Sequence, residues 1–176
     1  MRYTFHISLF FLFSILYCSK CIENTEVNLW GQCYSINQTF KLNVSGSGLT
    51  GSIPVEIGQL TNLYSIDLSN NRLSGEIPGE IGNLQKLDFL YLQDNELSGE
   101  IPQEIGNLKD LDRLFLSSNQ LSGTIPKSIK NLQDLKYLYL FKNNLSGVIP
   151  SELGELINLF KLDLSSNHFS GEIPLT

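Results

Sequence analysis

The chain has 176 residues and is acidic, with 18 Asp and Glu against 12 Lys and Arg and a net charge of −6. Only 3 residues are Cys and 2 are His, while 41% are hydrophobic. This composition excludes a disordered chain and a disulfide-dense scaffold. It also argues against a nucleic-acid partner, because a phosphate backbone attracts a basic stripe of Lys and Arg.

The first twenty residues have the order of regions that is typical of a secretory signal peptide. Arg2 and His6 precede an apolar run at residues 7–17, and small or polar residues follow at 18–20. A membrane anchor is the alternative, but the run is well short of the ~20 residues that a spanning helix needs. We therefore predict that residues 1–20 are a signal peptide, cleaved between positions 18 and 21, and that the protein is secreted or on the cell surface.

From residue 36 onward the sequence repeats every 24 residues. The regular copies begin at Leu60, Leu84, Leu108, Leu132 and Leu156, and a degenerate copy begins at Ile36. All six prolines occupy the same place in the copies, at Pro54, Pro78, Pro102, Pro126, Pro150 and Pro174. The copy that begins at Leu156 is truncated. A fixed period in this range predicts a stack of repeats, in which each unit packs against its neighbours.

One copy, residues 84–107, contains the spacing L-x-x-L-x-L-x-x-N-x-L, which is the leucine-rich repeat signature. The following LSGEIPQEIGNL resembles the plant-type subclass, found in ectodomains of receptor-like kinases and receptor-like proteins and in polygalacturonase inhibitors. The resemblance covers residues 36–176. It implies a leucine-rich repeat solenoid: a curved right-handed superhelix of the α/β type, with a parallel β-sheet on the concave side, a short second sheet, and short helical turns on the convex side.

Residues 21–35 differ from the repeats, and we predict that they cap the open first layer of the core. The apolar cover comes from Val27, Leu29 and Trp30. The run that ends in Cys33 resembles the end of a plant-type amino-terminal cap, although it is one residue shorter. Such caps usually hold a disulfide. The resemblance therefore makes Cys21 and Cys33 the candidate pair, if signal cleavage leaves Cys21 in place.

An asparagine follows the predicted concave strand in five of the repeats. These residues are Asn71, Asn95, Asn119, Asn143 and Asn167. The resemblance implies that this side chain lies inside, with its amide hydrogen-bonded to neighbouring backbone. A buried amide is tolerated only when it is paired. We therefore predict that the five residues form a structural ladder.

The positions that the repeat leaves free are the outward ones on the concave strands, which alternate with the buried leucines. Aromatic residues gather at these positions in the middle repeats, beside Arg113. The predicted ligand-binding set is Phe89, Tyr91, Arg113, Phe115, Tyr137, Tyr139 and Phe141. An exposed aromatic patch with polar edges is typical of a binding surface, and Tyr and Arg are frequent hot spots. The alternative is a column of aromatic residues that only stabilises adjacent strands.

We interpret the chain as a non-catalytic extracellular recognition module that binds a protein, peptide or cell-wall glycan on its concave face. The alternative is a structural or adhesion spacer, or an ice- or wall-associating repeat protein without a discrete ligand. A spacer should repeat one outward residue, whereas here the outward residues change between repeats, which favours recognition. A further hypothesis makes the chain part of a receptor ectodomain, with a membrane span and a kinase domain beyond Thr176.

We expect no catalytic site, metal site or cofactor. His6 falls in the predicted signal peptide, and His168 falls in a predicted turn of the last repeat. The sequence contains no Ser/His/Asp set and no phosphate-binding glycine loop. Zinc is not expected, because three cysteines, two of them near the signal, do not supply a ligand set with so few histidines.

Three N-x-S/T sequons begin at Asn37, Asn43 and Asn144. In a eukaryotic secretory pathway they are candidate N-glycosylation sites. A glycan on Asn43 would lie on the concave face near the cap, and it would direct a ligand towards the middle repeats.

Overall fold

The computed structural model describes residues 21–173. The predicted signal peptide, residues 1–20, lies outside the described residues, as do residues 174–176. Within the described range the chain forms a stack of coils. The coils repeat the same short elements because the sequence repeats the same buried and outward positions every 24 residues.

The described part of the chain contains thirteen strands: β1 Glu26–Leu29, β2 Gln32–Ser35, β3 Lys41–Asn43, β4 Thr50–Gly51, β5 Ser65–Asp67, β6 Arg72–Gly75, β7 Phe89–Tyr91, β8 Glu96–Leu97, β9 Arg113–Phe115, β10 Tyr137–Tyr139, β11 Ser146–Val148, β12 Lys161–Asp163 and β13 His168–Ser170. Strands β1 and β2 form an antiparallel hairpin in the cap. The main sheet is parallel and has the order β3-β5-β7-β9-β10-β12. Each strand in it therefore pairs with the equivalent strand of the next repeat.

The register of the main sheet keeps equivalent residues side by side. Leu90 pairs with Ile66 on one side and with Leu114 on the other, so the middle residues of the strands form one buried column. The outward residues alternate with this column and form columns on the opposite face. At β12 only one side of the strand is paired within the described residues, and Leu162 is 44% exposed where Leu138 is fully buried.

A second, discontinuous set of short parallel pairings follows the main sheet in each coil. It joins β4, β6 and β8, continues through a bridge between Glu100 and Ser122, and ends with the pair β11 and β13. Gly99 shows why glycine occupies this part of the repeat. Its φ is +76°, and a Cβ there would lie 2.7 Å from Cγ of Glu76 in the preceding repeat.

Short 3₁₀ turns complete the coils on the side away from the main sheet. They span Val55–Gln59, Gly79–Asn83, Gln103–Asn107, Lys127–Asn131 and Ser151–Glu155. Each turn follows the proline of its repeat. Pro102, for example, has φ −64° and ψ 140°, and its carbonyl accepts the N–H of Ile105 at 3.1 Å. The side chain of Ile105 is fully buried, so the turn also contributes to the core.

Each ladder asparagine connects its own repeat to the preceding one. Nδ2 of Asn95 donates to the carbonyl of Leu92 in its own repeat, at 3.1 Å, and to that of Leu68 in the preceding repeat, at 3.0 Å. Its Oδ1 accepts the N–H of Leu73, also in the preceding repeat, at 3.0 Å. The same contacts recur at the other four positions, Asn71, Asn119, Asn143 and Asn167.

The cap covers the first repeat with apolar side chains and is closed by a disulfide. Cys21 and Cys33 are bonded, and the sequence separation between them is 12 residues. Leu29 is fully buried in the same core as the repeat leucines. The indole N–H of Trp30 donates to the carbonyl of Ser52 at 3.1 Å, which fixes the hairpin to the first repeat.

We predict that Asn95→Ala lowers the free energy of unfolding by about 1–3 kcal/mol, because it leaves the N–H of Leu73 and several buried carbonyls without their partner. Chemical denaturation followed by circular dichroism measures the change. Asn107→Ala is the matched control, since Asn107 is exposed at the end of a 3₁₀ turn. Equal stability of the two variants would contradict a structural role for the ladder.

We predict that the double variant Cys21→Ser/Cys33→Ser loses about 3 kcal/mol of stability in the cap, the amount expected for closing a loop of this length. Melting curves with and without dithiothreitol measure the effect. Reductant should lower the melting temperature of the wild type and leave that of the double variant unchanged. A wild type that melts identically in both conditions would show that the bond adds nothing.

Candidate functional site

The structure brings all seven residues of the predicted ligand-binding set together on the outward side of the main sheet. We call this surface the aromatic face; it comprises Phe89, Tyr91, Arg113, Phe115, Tyr137, Tyr139 and Phe141. All seven are half-buried. Strands β7, β9 and β10 carry six of them, and Phe141 follows β10. Because the strands are in register, the side chains form two parallel rows.

The first row consists of rings in contact. Tyr91 meets Phe115 edge-on with centroids 5.0 Å apart, and Phe115 stacks on Tyr139 at 4.5 Å with 28° between the planes. Two further rings flank this row: Phe89, which belongs to the second row, stacks beside Tyr91 on the same strand at 6.2 Å, and Phe141, just after β10, meets Tyr139 edge-on at 6.2 Å. Offset stacked and edge-on pairs are the preferred arrangements of aromatic rings. The row is therefore a continuous apolar strip across three repeats.

The second row has Arg113 at its centre. The guanidinium carbon lies 5.2 Å from the ring centroid of Phe89 on one side and 5.2 Å from that of Tyr137 on the other. Nη1 donates to Oη of Tyr91 at 3.3 Å, which joins the two rows. The hydrogen bond to Tyr91, together with the interactions with Asp112, raises the pKa of Arg113. The guanidinium is thus a fixed cation within an aromatic surround.

Acidic residues lie along one edge of the aromatic face, just before the strands. Oδ1 of Asp112 accepts from Nε of Arg113 at 3.3 Å, and its Oδ2 accepts from Nζ of Lys136. Asp88 is the equivalent residue one repeat earlier. Burial, and then the charge of Asp112, raise the pKa of the Asp88 carboxyl. A groove of about 470 Å³ runs along this edge. We call this surface the acidic edge; its lining residues are Tyr64, Lys86, Asp88, Asp110, Asp112, Asp134 and Lys136.

The predicted set omitted one aromatic residue that the structure adds to the surface. The ring of Phe160 meets that of Tyr137 edge-on at 5.8 Å, and Phe160 is 73% exposed. Its sequence position, before β12, is equivalent to that of Asp88 and not to the positions used for the set. The repeat spacing alone identified its column, but only the folded chain shows the diagonal contact to the next strand.

The candidate glycosylation residues are all exposed. Asn43 ends β3 on the outward face, and its Oδ1 accepts the N–H of Ser45 at 3.2 Å. Asn37 lies before β3 and Asn144 lies after β10. All three therefore lie outside the aromatic face. Of the three, only Asn43 is in a strand of the main sheet, on the same outward side as the aromatic face.

Other clusters of polar groups are less suited to chemistry. Within residues 21–173, the one group of His, Cys, Asp and Glu spaced for a metal ion is Cys21, Glu26 and Cys33, and its two sulfurs are bonded to each other. His168 is exposed in β13. None of the helices in the described range is long and apolar enough to cross a membrane.

We predict that Phe115→Ala lowers the free energy of unfolding by about 1–3 kcal/mol, because it removes two ring contacts worth about 0.5–1.5 kcal/mol each beyond their buried area. Phe40→Ala is the control, since Phe40 is an exposed aromatic residue before β3 for which the described residues provide no ring contact. Thermal melts measure both variants. If Phe115→Ala melts like Phe40→Ala, the rings do not act as a stabilising column.

Comparison with known proteins identifies the repeat family. A family model for the leucine-rich repeat region matches residues 42–173. A search of curated proteins by sequence returns no match. The match to the family model covers the main sheet, the second sheet and the 3₁₀ turns described above.

Solved structures with the same fold include plant receptor ectodomains. The plant peptide hormone receptor RGFR1, in complex with RGF2, is 41% identical, covering 71% of this chain and 20% of that chain with a TM-score of 0.70. The Arabidopsis receptor kinase HAESA, in complex with the peptide hormone IDA and the co-receptor SERK1, is 47% identical. The match covers 76% of this chain and 22% of the HAESA chain, with a TM-score of 0.73. A chain of the BIR3–SERK2 complex from Arabidopsis thaliana is 39% identical. The match covers 81% of this chain and 72% of that chain, with a TM-score of 0.66.

The chain spans about a fifth of the length of the two peptide hormone receptors. The predicted solenoid and the plant-type resemblance are confirmed, including the parallel main sheet and the short helical turns, which are 3₁₀ turns. The chain belongs to the leucine-rich repeat family and is of the type found in the ectodomains of plant receptor kinases.

Proposed function

We propose that the chain is a non-catalytic extracellular recognition module that binds an extended peptide, or an extended segment of a protein partner, on the aromatic face. The observation that carries this proposal is the joining of seven side chains from three adjacent repeats into one surface. Tyr and Arg are the residue types most enriched among binding hot spots, and here they lie at the centre of the surface.

The shape and chemistry of the aromatic face favour a peptide over a glycan. In the Phe115–Tyr139 pair each ring covers one face of the other, so these two ring faces are not open to a ligand. A sugar stacks on an open ring face, whereas an apolar peptide side chain packs well against ring edges. Strands about 4.8 Å apart also give a regular series of contacts along an extended chain.

The outward columns support recognition over a spacer role. The column that contains Arg113 changes from Ser65 through Phe89 to Tyr137 and Lys161 along the sheet. A spacer needs no such change, because the buried residues alone hold the repeats together. Specificity, in contrast, requires that different parts of a ligand meet different side chains.

The known structures support a peptide or protein partner at the level of the family. RGFR1 is in complex with RGF2, and HAESA is in complex with a peptide hormone and a co-receptor. The disulfide between Cys21 and Cys33 supports an extracellular location, because such bonds persist in oxidising compartments. We infer that the chain acts as the recognition part of a receptor-like protein.

We predict that Tyr91→Ala/Tyr139→Ala weakens peptide binding at least about tenfold, since truncation of central hot spots costs more than about 1 kcal/mol each. The chain expressed for secretion is used to select from a random twelve-residue peptide library displayed on phage. Synthetic copies of the selected peptides are then titrated against each variant by calorimetry, well below the melting temperature.

Phe40→Ala is the control for the selection, because Phe40 is exposed beside the same sheet but outside the aromatic face. It should bind the selected peptides as the wild type does. Peptides that bind the double variant as tightly as the wild type would move the site elsewhere. A selection that returns no peptide above uncoated beads would contradict peptide recognition.

A further inference from the structure

Two equivalent aspartates of the acidic edge, Asp88 and Asp112, differ in their ion pairs. Asp112 forms ion pairs with both Arg113 and Lys136. Asp88 occupies the same place one repeat earlier, but no basic side chain of the described residues lies within 4 Å of its carboxylate. The sequence gives the two positions the same residue type, and the difference arises from which side chains follow in the next repeat.

The order of residues in the repeats explains why, among residues 21–173, Asp88 forms no ion pair. Asp112 is followed by Arg113 on its own strand and by Lys136 at the equivalent place in the next repeat. Asp88 is followed instead by Phe89, and the equivalent residue in the next repeat is Asp112, a like charge. The two bases that line the groove, Lys86 and Lys136, are bonded to Asn62 and Asp112 respectively.

Asp88 is also partly shielded from water. It is half-buried, and burial, followed by the neighbouring charge of Asp112, raises the pKa of its carboxyl, while the charges of Lys136 and Arg113 offset part of this rise. A partly buried carboxylate gains more free energy from pairing with a cation than a fully hydrated carboxylate does, because solvent screens the attraction between the two charges less.

A ligand on the aromatic face would pass close to this carboxylate. Asp88 directly precedes Phe89, whose ring packs against Arg113. Asp88 also lines the groove of about 470 Å³ together with Asp110 and Asp134, which are exposed. The groove therefore continues the aromatic face towards an edge where acids outnumber bases, four against two.

The net charge of the whole chain also favours a basic ligand. The net charge is −6, and the predicted mature chain has 18 acids against 10 bases once Arg2 and Lys20 are removed. An acidic protein attracts basic ligands at long range, and charges at the rim of a site select among ligands of similar shape.

We propose that the peptide bound on the aromatic face carries a Lys or Arg side chain that pairs with Asp88, which makes Asp88 a specificity-determining residue. This inference rests on the proposed function. It adds a charge requirement to a surface that otherwise selects for apolar contact. The basic side chain would lie in the groove, while neighbouring apolar residues of the peptide pack on the rings of the aromatic face.

The phage selection described above tests this proposal with two further variants. Asp88→Asn removes the charge and keeps the shape of the side chain. Asp94→Asn removes an equal charge from an exposed residue in the same repeat, at a positive φ of 58° that asparagine adopts readily. The probes are the synthetic peptides selected by the wild type and copies of them in which one Lys or Arg is replaced by Gln.

We expect the wild type to enrich peptides with Lys or Arg at one fixed distance from an aromatic or proline residue. Asp88→Asn should weaken binding of such a peptide about tenfold, and it should have little effect on the Gln copy, because the pair is then already broken. Asp94→Asn should leave both affinities unchanged. The melting temperature of Asp88→Asn should equal or exceed that of the wild type, since a poorly solvated charge has been removed.

Three outcomes overturn the proposal. Enriched peptides without a basic residue, which still depend on Tyr91 and Tyr139, would remove the charge requirement and leave the proposed function intact. Equal effects of Asp88→Asn and Asp94→Asn would show that net charge alone attracts the ligand. Peptides that require neither the aromatic face nor Asp88 would contradict the proposed function and this inference together.

Discussion

The hydrogen bonds of the asparagine ladder are the constraint on which the rest of the structure depends. At the end of each concave strand the chain turns away from the sheet, and its backbone groups lose the sheet as a partner. Asn95 and its equivalents supply the missing partners, both within a repeat and to the repeat before it. An unpaired backbone group in this dry interior would cost about 1–3 kcal/mol. The ladder therefore fixes the spacing and the register of the coils.

That register separates the residues that build the core of the solenoid from those that form its outward surface. Leucines point inward and form the core, while the residues between them point outward and are free to vary. Variation between repeats then becomes a surface pattern. Tyr91, Phe115 and Tyr139 come from repeats 24 residues apart, yet their rings touch, because the parallel strands place them side by side. The same register places Arg113 between Phe89 and Tyr137.

Much of the fold was predictable because the repeat makes the same local choice many times. The period, the L-x-x-L-x-L spacing and the fixed prolines predict the parallel sheet and the turns, and the structure confirms both. The seven residues of the aromatic face were predictable as outward positions for the same reason. Phe160 was not included, because its ring reaches Tyr137 across the edge of the face, a diagonal contact that column spacing does not indicate.

The sequence by itself determined the solenoid, its buried columns and the identity of the outward residues, since these follow from a period and from the chemistry of leucine, asparagine and proline. Only the tertiary structure decided how the outward side chains pair. It shows that Asp112 forms ion pairs with both Arg113 and Lys136, whereas no basic side chain among residues 21–173 lies within 4 Å of the Asp88 carboxylate, although the two occupy the same place in the repeat. The physical reason is that an ion pair depends on distances of a few ångströms between side chains of different repeats. A repeating sequence specifies the neighbours but not these distances.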